Sequence, residues 1–427
     1  RRMARRKGKM NNELSPNPLW TKDFTIITLG SVVSMLGSAL SGFAMSLLVL
    51  DYTKSTFMFA LYNVIYMLPN AVVPVLCGPF LDRFSRKRTI YTLDFISSAL
   101  YLILAAILML DLFSFPILAV GCFLLGTISS VYYVAYDSFY PLLITEGNYS
   151  KAYSIASTLE TLAMIMIPIS ALVYNSVGIV PLFLFNTCTY FIAAVMETHI
   201  GAEEKYIEKQ KQSSSEVSGG IRRFVSDFRK GMEYLYSEKG LLAIAIYFVF
   251  SSFAGGATGS LTLPYFKSNF HNGEYVYMMV WGMMAVGRGI GGFIHYKVRL
   301  PVQRKFVIAL FVYITLSLLE GSYLYFPVWV MMIMCFCVGI LGVTSYNIRI
   351  SATQHYVPDE RKGRFNGTFG TLNTLGTLCG QLIAGALAEF LPVRAIISSA
   401  MFINLLAAIF VIGFGAKHVK KIYNVQN

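Results

Sequence analysis

The sequence predicts an all-α membrane protein with twelve transmembrane helices. Of its 427 residues, 56% are hydrophobic and only 13% are charged, whereas about 25% of the residues in soluble domains are charged. The apolar residues form long runs that lack the alternation of apolar and polar positions expected of a membrane β-strand. Each run is long enough for a helix to cross a hydrocarbon layer of about 30 Å.

Twelve such runs, bounded by Gly, Pro, Asn or charged residues, divide into two sets of six. They cover residues 24–50, 56–81, 89–110, 113–143, 153–174, 178–197, 241–264, 275–296, 306–326, 328–348, 366–390 and 392–415. The predicted organisation is an N-terminal segment, a first half, a linker, a second half and a tail, at 1–23, 24–197, 198–240, 241–415 and 416–427. Apolar residues at helical spacing within the linker predict an amphipathic helix, lying either on the membrane surface or against the helix bundle.

The net charge of +13 is concentrated on one side of the predicted membrane. Almost all lysines and arginines fall in the termini or in loops on the same side as the termini; the exceptions are Lys54, Lys267, Arg288 and Arg394. Arg349 is assigned to the loop that follows the tenth run. The positive-inside rule therefore places both termini in the cytoplasm of a plasma-membrane protein. Because topology accounts for the charge, the basic residues favour membrane lipids as partners and disfavour nucleic acid.

The two halves retain traces of an internal repeat. A shift of 213 positions superposes residues 78–82 on residues 291–295. Two parallel six-helix repeats imply a pseudo-two-fold axis along the membrane normal, with a cavity between the halves. That architecture is typical of secondary transporters, and no ATP-binding GxxxxGK[ST] motif, enzyme activity, cofactor or metal site is expected.

The loop between the second and third runs carries the most specific motif. Residues 78–88 read GPFLDRFSRKR, which resembles the signature G-x-x-x-D-R-x-x-R-[RK] of the major facilitator superfamily at every fixed position. The resemblance implies transport by alternating access, with gating residues at Gly78, Asp82, Arg83, Arg86 and Lys87.

Further stretches are similar to the bacterial drug-efflux branch that includes macrolide and siderophore exporters. These are residues 224–232, 263–266 and 356–364, the last leading into a glycine-rich helix. Gly363 lies near the start of that helix, whose positive dipole end is expected to meet Asp82 when the inside gate closes. The resemblance implies export of a small amphipathic or hydrophobic compound by a monomeric proton antiporter. An importer or lipid flippase of the same fold is the alternative, followed by a transport-inactive sensor.

Carboxylates inside apolar runs are candidates for proton coupling, because each costs roughly 2.5–3.5 kcal/mol to insert into a membrane. Asp94, Asp137 and Glu160 are three such residues. Asp137 and Glu160 are expected at similar depth, so that mutual repulsion would leave one of them protonated near neutral pH. Other interpretations are that Asp94 pairs within the preceding loop, that Glu160 binds a cationic substrate, and that Glu320 reaches the outer interface.

Aromatic residues make up 15% of the chain, and a subset is expected to line the substrate cavity. Hydrophobic substrates suit aromatic walls, although each such residue is individually more typical of helix packing. Together with Glu160, the predicted substrate-binding residues are Tyr132, Tyr133, Tyr136, Tyr247, Phe250, Tyr346 and Asn347.

Overall fold

A computed structural model describes residues 18–81, 84–145, 149–204, 220–298 and 300–424. These residues form fourteen α-helices, and no β-strand occurs among them. The helices are α1 Lys22–Thr53, α2 Thr56–Leu81, α3 Arg86–Met109, α4 Phe115–Phe139, α5 Tyr149–Val177, α6 Ile179–Glu197, α7 Gly220–Ser237, α8 Lys239–Asn269, α9 Gly273–Lys297, α10 Lys305–Ser322, α11 Val328–Tyr356, α12 Asp359–Leu387, α13 Val393–Ala407 and α14 Ala416–Tyr423. The prediction of an all-α membrane protein is confirmed.

Nine helices of the described part are long and apolar enough to cross a membrane. They include all or part of α1–α4, α6, α8, α10, α11 and α13. The other three predicted spans correspond to α5, α9 and α12, which have 29, 25 and 29 residues. At 1.5 Å per residue each exceeds the hydrocarbon thickness of about 30 Å. The count of twelve spans stays a prediction.

Local sequence signals set several helix starts. Pro327, Pro358 and Pro392 immediately precede α11, α12 and α13. Proline is tolerated there because the first N–H groups of a helix have no partner within it. At α3, the side chain of Ser85 accepts a hydrogen bond from the Arg88 amide at 3.1 Å, which caps the helix.

The chain divides by contact into two compact units. The first takes residues 1–45 and 76–216, and the second takes residues 46–75 and 217–427. Relative to the predicted halves, the end of α1 and most of α2 pack with the second unit. Glu389 is one reason, because its Oε1 accepts hydrogen bonds from Ser55 Oγ at 2.7 Å and from the Phe57 amide at 3.2 Å.

In the first unit, α6 packs closely against both α1 and α3. A Cβ atom on Gly37 of α1 would lie 2.2 Å from Thr189 Oγ1 and 2.3 Å from Asn186 Oδ1, so only glycine permits this approach. On the other side, Ser98 Oγ of α3 donates to the Thr187 carbonyl at 2.8 Å. These contacts hold the middle of α6 between two neighbours.

In the second unit, α9 pairs with α11 and α8 pairs with α12. A Cβ atom on Gly287 would lie 2.1 Å from the Phe336 carbonyl oxygen, and one on Gly380 would lie 2.0 Å from that of Phe253. Small residues let helix backbones approach where apolar lipid supplies no hydrophobic driving force. The linker helix α7 packs against α12, and its predicted position on the membrane surface stays a prediction.

Candidate functional site

Two carboxyl groups meet inside the first unit. Asp94 of α3 is 1% exposed, Glu197 at the end of α6 is 0% exposed, and the two carboxyl groups lie close enough to interact electrostatically. Asp94 lies eight residues into α3, about 12 Å along the helix axis from Arg86. Since an ionised carboxylate cannot donate, a hydrogen bond between two carboxyl groups would require a proton on one of them.

The remaining oxygens of this carboxyl pair are enclosed without a donor. Asp94 Oδ2 and both oxygens of Glu197 are buried and have no hydrogen-bond donor among the described residues. Helix α1 lies against Glu197, since a Cβ atom on Gly30 would lie 3.1 Å from Glu197 Oε1. No lysine or arginine forms an ion pair with either group in the described part of the chain. The arrangement keeps the pair away from water and from any described cationic partner.

A row of tyrosines on α4 leads away from the carboxyl pair. Tyr132 interacts electrostatically with Asp94 and Glu197, and its ring stacks on Tyr136 with 5.8 Å between centroids. Tyr136 stacks in turn on Tyr140 at 5.3 Å. Tyr132 therefore lies near Asp94 and Glu197, whereas Tyr136 interacts electrostatically with both Glu197 and Asp137. The predicted role of both tyrosines in substrate binding stays a prediction.

Hydroxyl groups continue this polar row. Ser31 Oγ of α1 donates to the Tyr136 hydroxyl at 3.1 Å, and the Tyr140 hydroxyl donates to the Ala152 carbonyl at 3.0 Å. The row thus extends from the carboxyl pair towards the end of α4, on the side that carries the basic loops. Hydroxyl groups both donate and accept, which is the property that proton transfer along a chain requires.

The other predicted acids are not part of this pair. Asp137 is exposed on α4 and hydrogen bonds with the side chain of Tyr133, which is 66% exposed. Glu160 lies in α5, and its side chain falls outside the described residues, so its predicted approach to Asp137 stays a prediction. Glu320, expected at the outer interface, instead lies partly buried and interacts electrostatically with Tyr247 and Tyr323. Asp94, expected to pair near the preceding loop, instead pairs inside the helix bundle.

Two of the predicted gating residues tie together the base of the first unit. Arg86 Nη1 donates to the Ser138 carbonyl at 3.0 Å, and Lys87 Nζ donates to the Ile200 carbonyl at 3.0 Å. Glu204 accepts from the Arg86 amide at 2.8 Å, so the segment after α6 folds back beneath α3. Asp82 and Arg83 lie outside the described residues, as do the surroundings of Gly78 in α2 and Gly363 in α12.

The predicted substrate residues of the second unit divide into buried and exposed positions. Tyr247 is 2% exposed and stacks on Tyr313 with centroids 4.4 Å apart. It is therefore a packing residue, which corrects its prediction as part of a cavity wall. Phe250 and Tyr346 are exposed and Asn347 is partly buried, so these three remain candidates.

Sequence analysis missed two functional candidates. Glu197 is the last residue of the sixth apolar run and carries no other signal in the sequence. Its spacing from Ala193 and Ala194, which are buried, places it on the same helix face as these two residues. The sequence predicts that Arg349 lies in the loop after the tenth run. In the structure α11 continues to Tyr356, so Arg349 lies within this helix. Its position three residues after Tyr346 was the available signal for a shared helix face.

Arg349 lies among three aromatic rings in the second unit. Its Cζ atom is 5.1 Å from the ring centroid of Phe248 in α8, 5.4 Å from that of Tyr346 and 5.0 Å from that of Phe369 in α12. No carboxylate pairs with Arg349 among the residues that the structure describes. We call Arg349 and these three rings the Arg349 site.

Comparisons with known proteins agree with this architecture. Macrolide efflux protein A of Streptococcus pyogenes is 21% identical over 383 residues, which cover 88% of this chain and 91% of that relative. The uncharacterized MFS-type transporter YkuC of Bacillus subtilis is 23% identical over 291 residues, or 65% of this chain and 66% of the relative's length.

Two solved structures share the fold. They are the nucleoside transporter NupG, with a TM-score of 0.62 at 12% identity, and a bacterial homologue of the iron transporter ferroportin, with a TM-score of 0.64 at 15% identity. Each alignment covers 93% of this chain and 98% of the other. The model of the Major Facilitator Superfamily matches residues 27–376. The chain therefore belongs to the Major Facilitator Superfamily and is a multi-pass membrane transporter.

Proposed function

We propose that this transporter exports a small amphipathic compound by alternating access in exchange for protons. The buried Asp94–Glu197 carboxyl pair is the observation that carries the proposal. In the proposed orientation both termini are cytoplasmic, and the tyrosine row on α4 leads from the pair towards the cytoplasm. The resemblance to a macrolide efflux protein supports export as the direction.

The chemistry of the pair supports proton coupling. Loss of the shared proton would leave two negative charges in contact, in a place where water cannot stabilise them. The deprotonated state therefore requires that the helices around the pair separate and admit water. Protonation and helix packing are linked in this way, so that a conformational cycle that alternately covers and exposes the pair moves protons.

The test is gradient-driven transport by purified protein in liposomes, with a panel of amphipathic compounds and an imposed pH gradient. Asp94→Asn and Glu197→Gln retain size and hydrogen-bonding capacity but cannot carry the proton. Each should lower gradient-driven flux roughly 5- to 150-fold, the usual size of a coupling between two sites. Exchange of compound without a gradient should persist, and the double variant should be little worse than either single one.

Glu203→Gln is the matched control, because Glu203 is exposed just beyond the end of α6. Full gradient-driven transport by Asp94→Asn would contradict the proposed role of the pair. If gradient-driven transport were lost in Glu160→Gln and Asp137→Asn but kept in the Asp94 and Glu197 variants, the proton would be carried by Glu160 and Asp137, as the sequence predicts. Accumulation against the expected direction would identify an importer, and binding without flux would identify a sensor.

A further inference from the structure

The Arg349 site presents a permanent positive charge within a membrane-spanning helix. Arg349 lies seven residues before the end of α11 at Tyr356, about 10 Å along the helix. Arginine remains protonated under physiological conditions, so it cannot escape the cost of burial by losing its proton. A charge that is partly buried among aromatic side chains needs partners within the protein or from a ligand.

The partners found in the second unit satisfy the charge only in part. The faces of Phe248, Tyr346 and Phe369 attract a cation, but they accept none of the N–H hydrogen bonds that a guanidinium can donate. No described carboxylate or carbonyl oxygen forms a hydrogen bond with the Arg349 side chain. The donor groups of Arg349 are thus available to a ligand.

Access to the site is open on one side. Arg349 is partly buried, whereas Tyr346 is 51% exposed. Phe369 is buried and stacks on Phe365 with centroids 5.7 Å apart, which makes the inner wall rigid and apolar. The site therefore combines hydrogen-bond donors of fixed charge with aromatic surface, as recognition of an amphipathic anion requires.

Arg394 provides a contrast within the same unit. It also lies over two rings, with Cζ 5.4 Å from the centroid of Tyr265 and 5.6 Å from that of Tyr325. Its Nε, however, donates to the Tyr265 hydroxyl at 2.6 Å, and the residue is exposed at the start of α13. Arg394 therefore has a hydrogen-bond partner and access to water, whereas Arg349 lies among aromatic faces and interacts electrostatically with Tyr313, Tyr346 and Tyr423.

We infer that the Arg349 site binds the anionic group of an amphipathic ligand: a carboxylate, sulfonate or phosphate carried on an apolar or aromatic body. That this ligand is a transported compound rests on the proposed export function. It adds the charge class of the substrate, which neither the family nor the relatives define. Anion binding itself is measurable without transport.

The test uses three compounds that share a naphthalene body and carry an anionic, a neutral or a cationic group: 2-naphthalenesulfonate, 2-naphthylmethanol and 2-naphthylmethylammonium. Binding to the purified full chain in detergent is measured by isothermal titration. The wild-type protein should bind the sulfonate most tightly. Arg349→Gln should raise the Kd of the sulfonate at least about tenfold, the usual effect of a hydrogen bond to a charged group, and leave that of the alcohol unchanged. Arg394→Gln should change neither.

Three results would overturn the inference: equal wild-type affinity for the three compounds, an unchanged sulfonate Kd in Arg349→Gln, or an equal loss for all three compounds in that variant. The last result would mean that Arg349 only joins α8, α11 and α12. If Arg349→Gln does not fold, the wild-type comparison and the Phe248→Leu variant decide. Phe248→Leu should weaken sulfonate binding and keep the preference for it.

An anionic lipid presents the same chemistry as a free anion, and competition separates the two sources. Displacement of the sulfonate by phosphatidylglycerol, but not by phosphatidylethanolamine, would identify a lipid headgroup as the ligand. If the protein still binds the sulfonate in the presence of either lipid, the ligand is a free amphipathic anion. Because no pH gradient is used, failure of proton coupling and failure of anion binding are distinguishable.

Discussion

The two units differ in the ionisable groups that they enclose. The first unit pairs Asp94 with Glu197 and leaves both inaccessible to water. The second unit holds Arg349 against aromatic rings, partly accessible. A carboxyl group can be buried cheaply by accepting a proton, whereas a guanidinium cannot lose one, so the same requirement for neutrality has two different solutions.

This difference teaches how a repeated architecture divides two tasks. A dry carboxyl pair responds to protons and excludes larger ligands. An arginine on an open aromatic surface attracts an anion but does not titrate near neutral pH. We therefore assign the proton to the first unit and the anionic part of the compound to the second. The predictions below test that division.

The largest effect is expected from Glu197→Lys. The new ammonium would form an ion pair with Asp94 and replace the shared proton with a permanent charge, so that protonation is no longer needed for burial. We expect gradient-driven flux to fall by about 100-fold, near the upper limit of typical coupling between sites, while thermal unfolding in detergent stays cooperative. Glu203→Lys makes the same charge change at an exposed position and should retain transport. A Glu197→Lys protein still driven by a pH gradient would refute the assignment.

A second prediction measures anion binding in a variant of the first unit and proton coupling in a variant of the second. Asp94→Asn should bind 2-naphthalenesulfonate with a Kd within about twofold of wild type, because effects at independent sites usually add. Arg349→Gln should in turn retain the dependence of neutral-compound transport on a pH gradient. The measurements are titration for the first variant and liposome flux for the second. Strong loss of anion binding in Asp94→Asn would show that the two tasks share one site.

The close approach of α1 and α6 supports the dry environment of the carboxyl pair. Gly37→Ala would place a methyl group against Thr189 and Asn186, and overpacking of this kind costs about 1–3 kcal/mol. We expect a lower thermal unfolding temperature and weaker proton coupling, with sulfonate binding unchanged. Gly42→Ala on the same helix is the control, since a Cβ atom there meets nothing within 4 Å. Equal stability of the two variants would contradict this packing argument.

The smallest effect is expected for charges outside the spans. Arg364 of α12 pairs with Asp227 of α7 at 3.3 Å, and the two side chains are 49% and 40% exposed. Pairs of this kind contribute at most about 1 kcal/mol, and salt screens them. Asp227→Asn should therefore shift thermal unfolding only slightly, and less at high ionic strength. A large loss of transport would instead give the linker helix a functional role that its exposed charges do not predict.

Several properties follow from the one-dimensional sequence alone. Long apolar runs specify membrane helices because the hydrocarbon core demands internal hydrogen bonding of every backbone group along its thickness. The motif at residues 78–88 identified the superfamily because its spacing is local. Asp94 was recognised as a candidate because any carboxylate in such a run is costly.

Tertiary structure decided which of these costly groups act together. Glu197 is separated from Asp94 by about a hundred positions, and the pair is buried because α3 packs against α6 while α1 lies against Glu197. Arg349 acquires its surroundings from three helices, α8, α11 and α12, which no local spacing brings together. Tyr247, predicted to line the cavity, is buried because Tyr313 of another helix packs on it. Helical spacing determines which residues share a face, but the neighbour that covers the face, and hence its polarity and access to water, depends on the packing of helices distant in the chain.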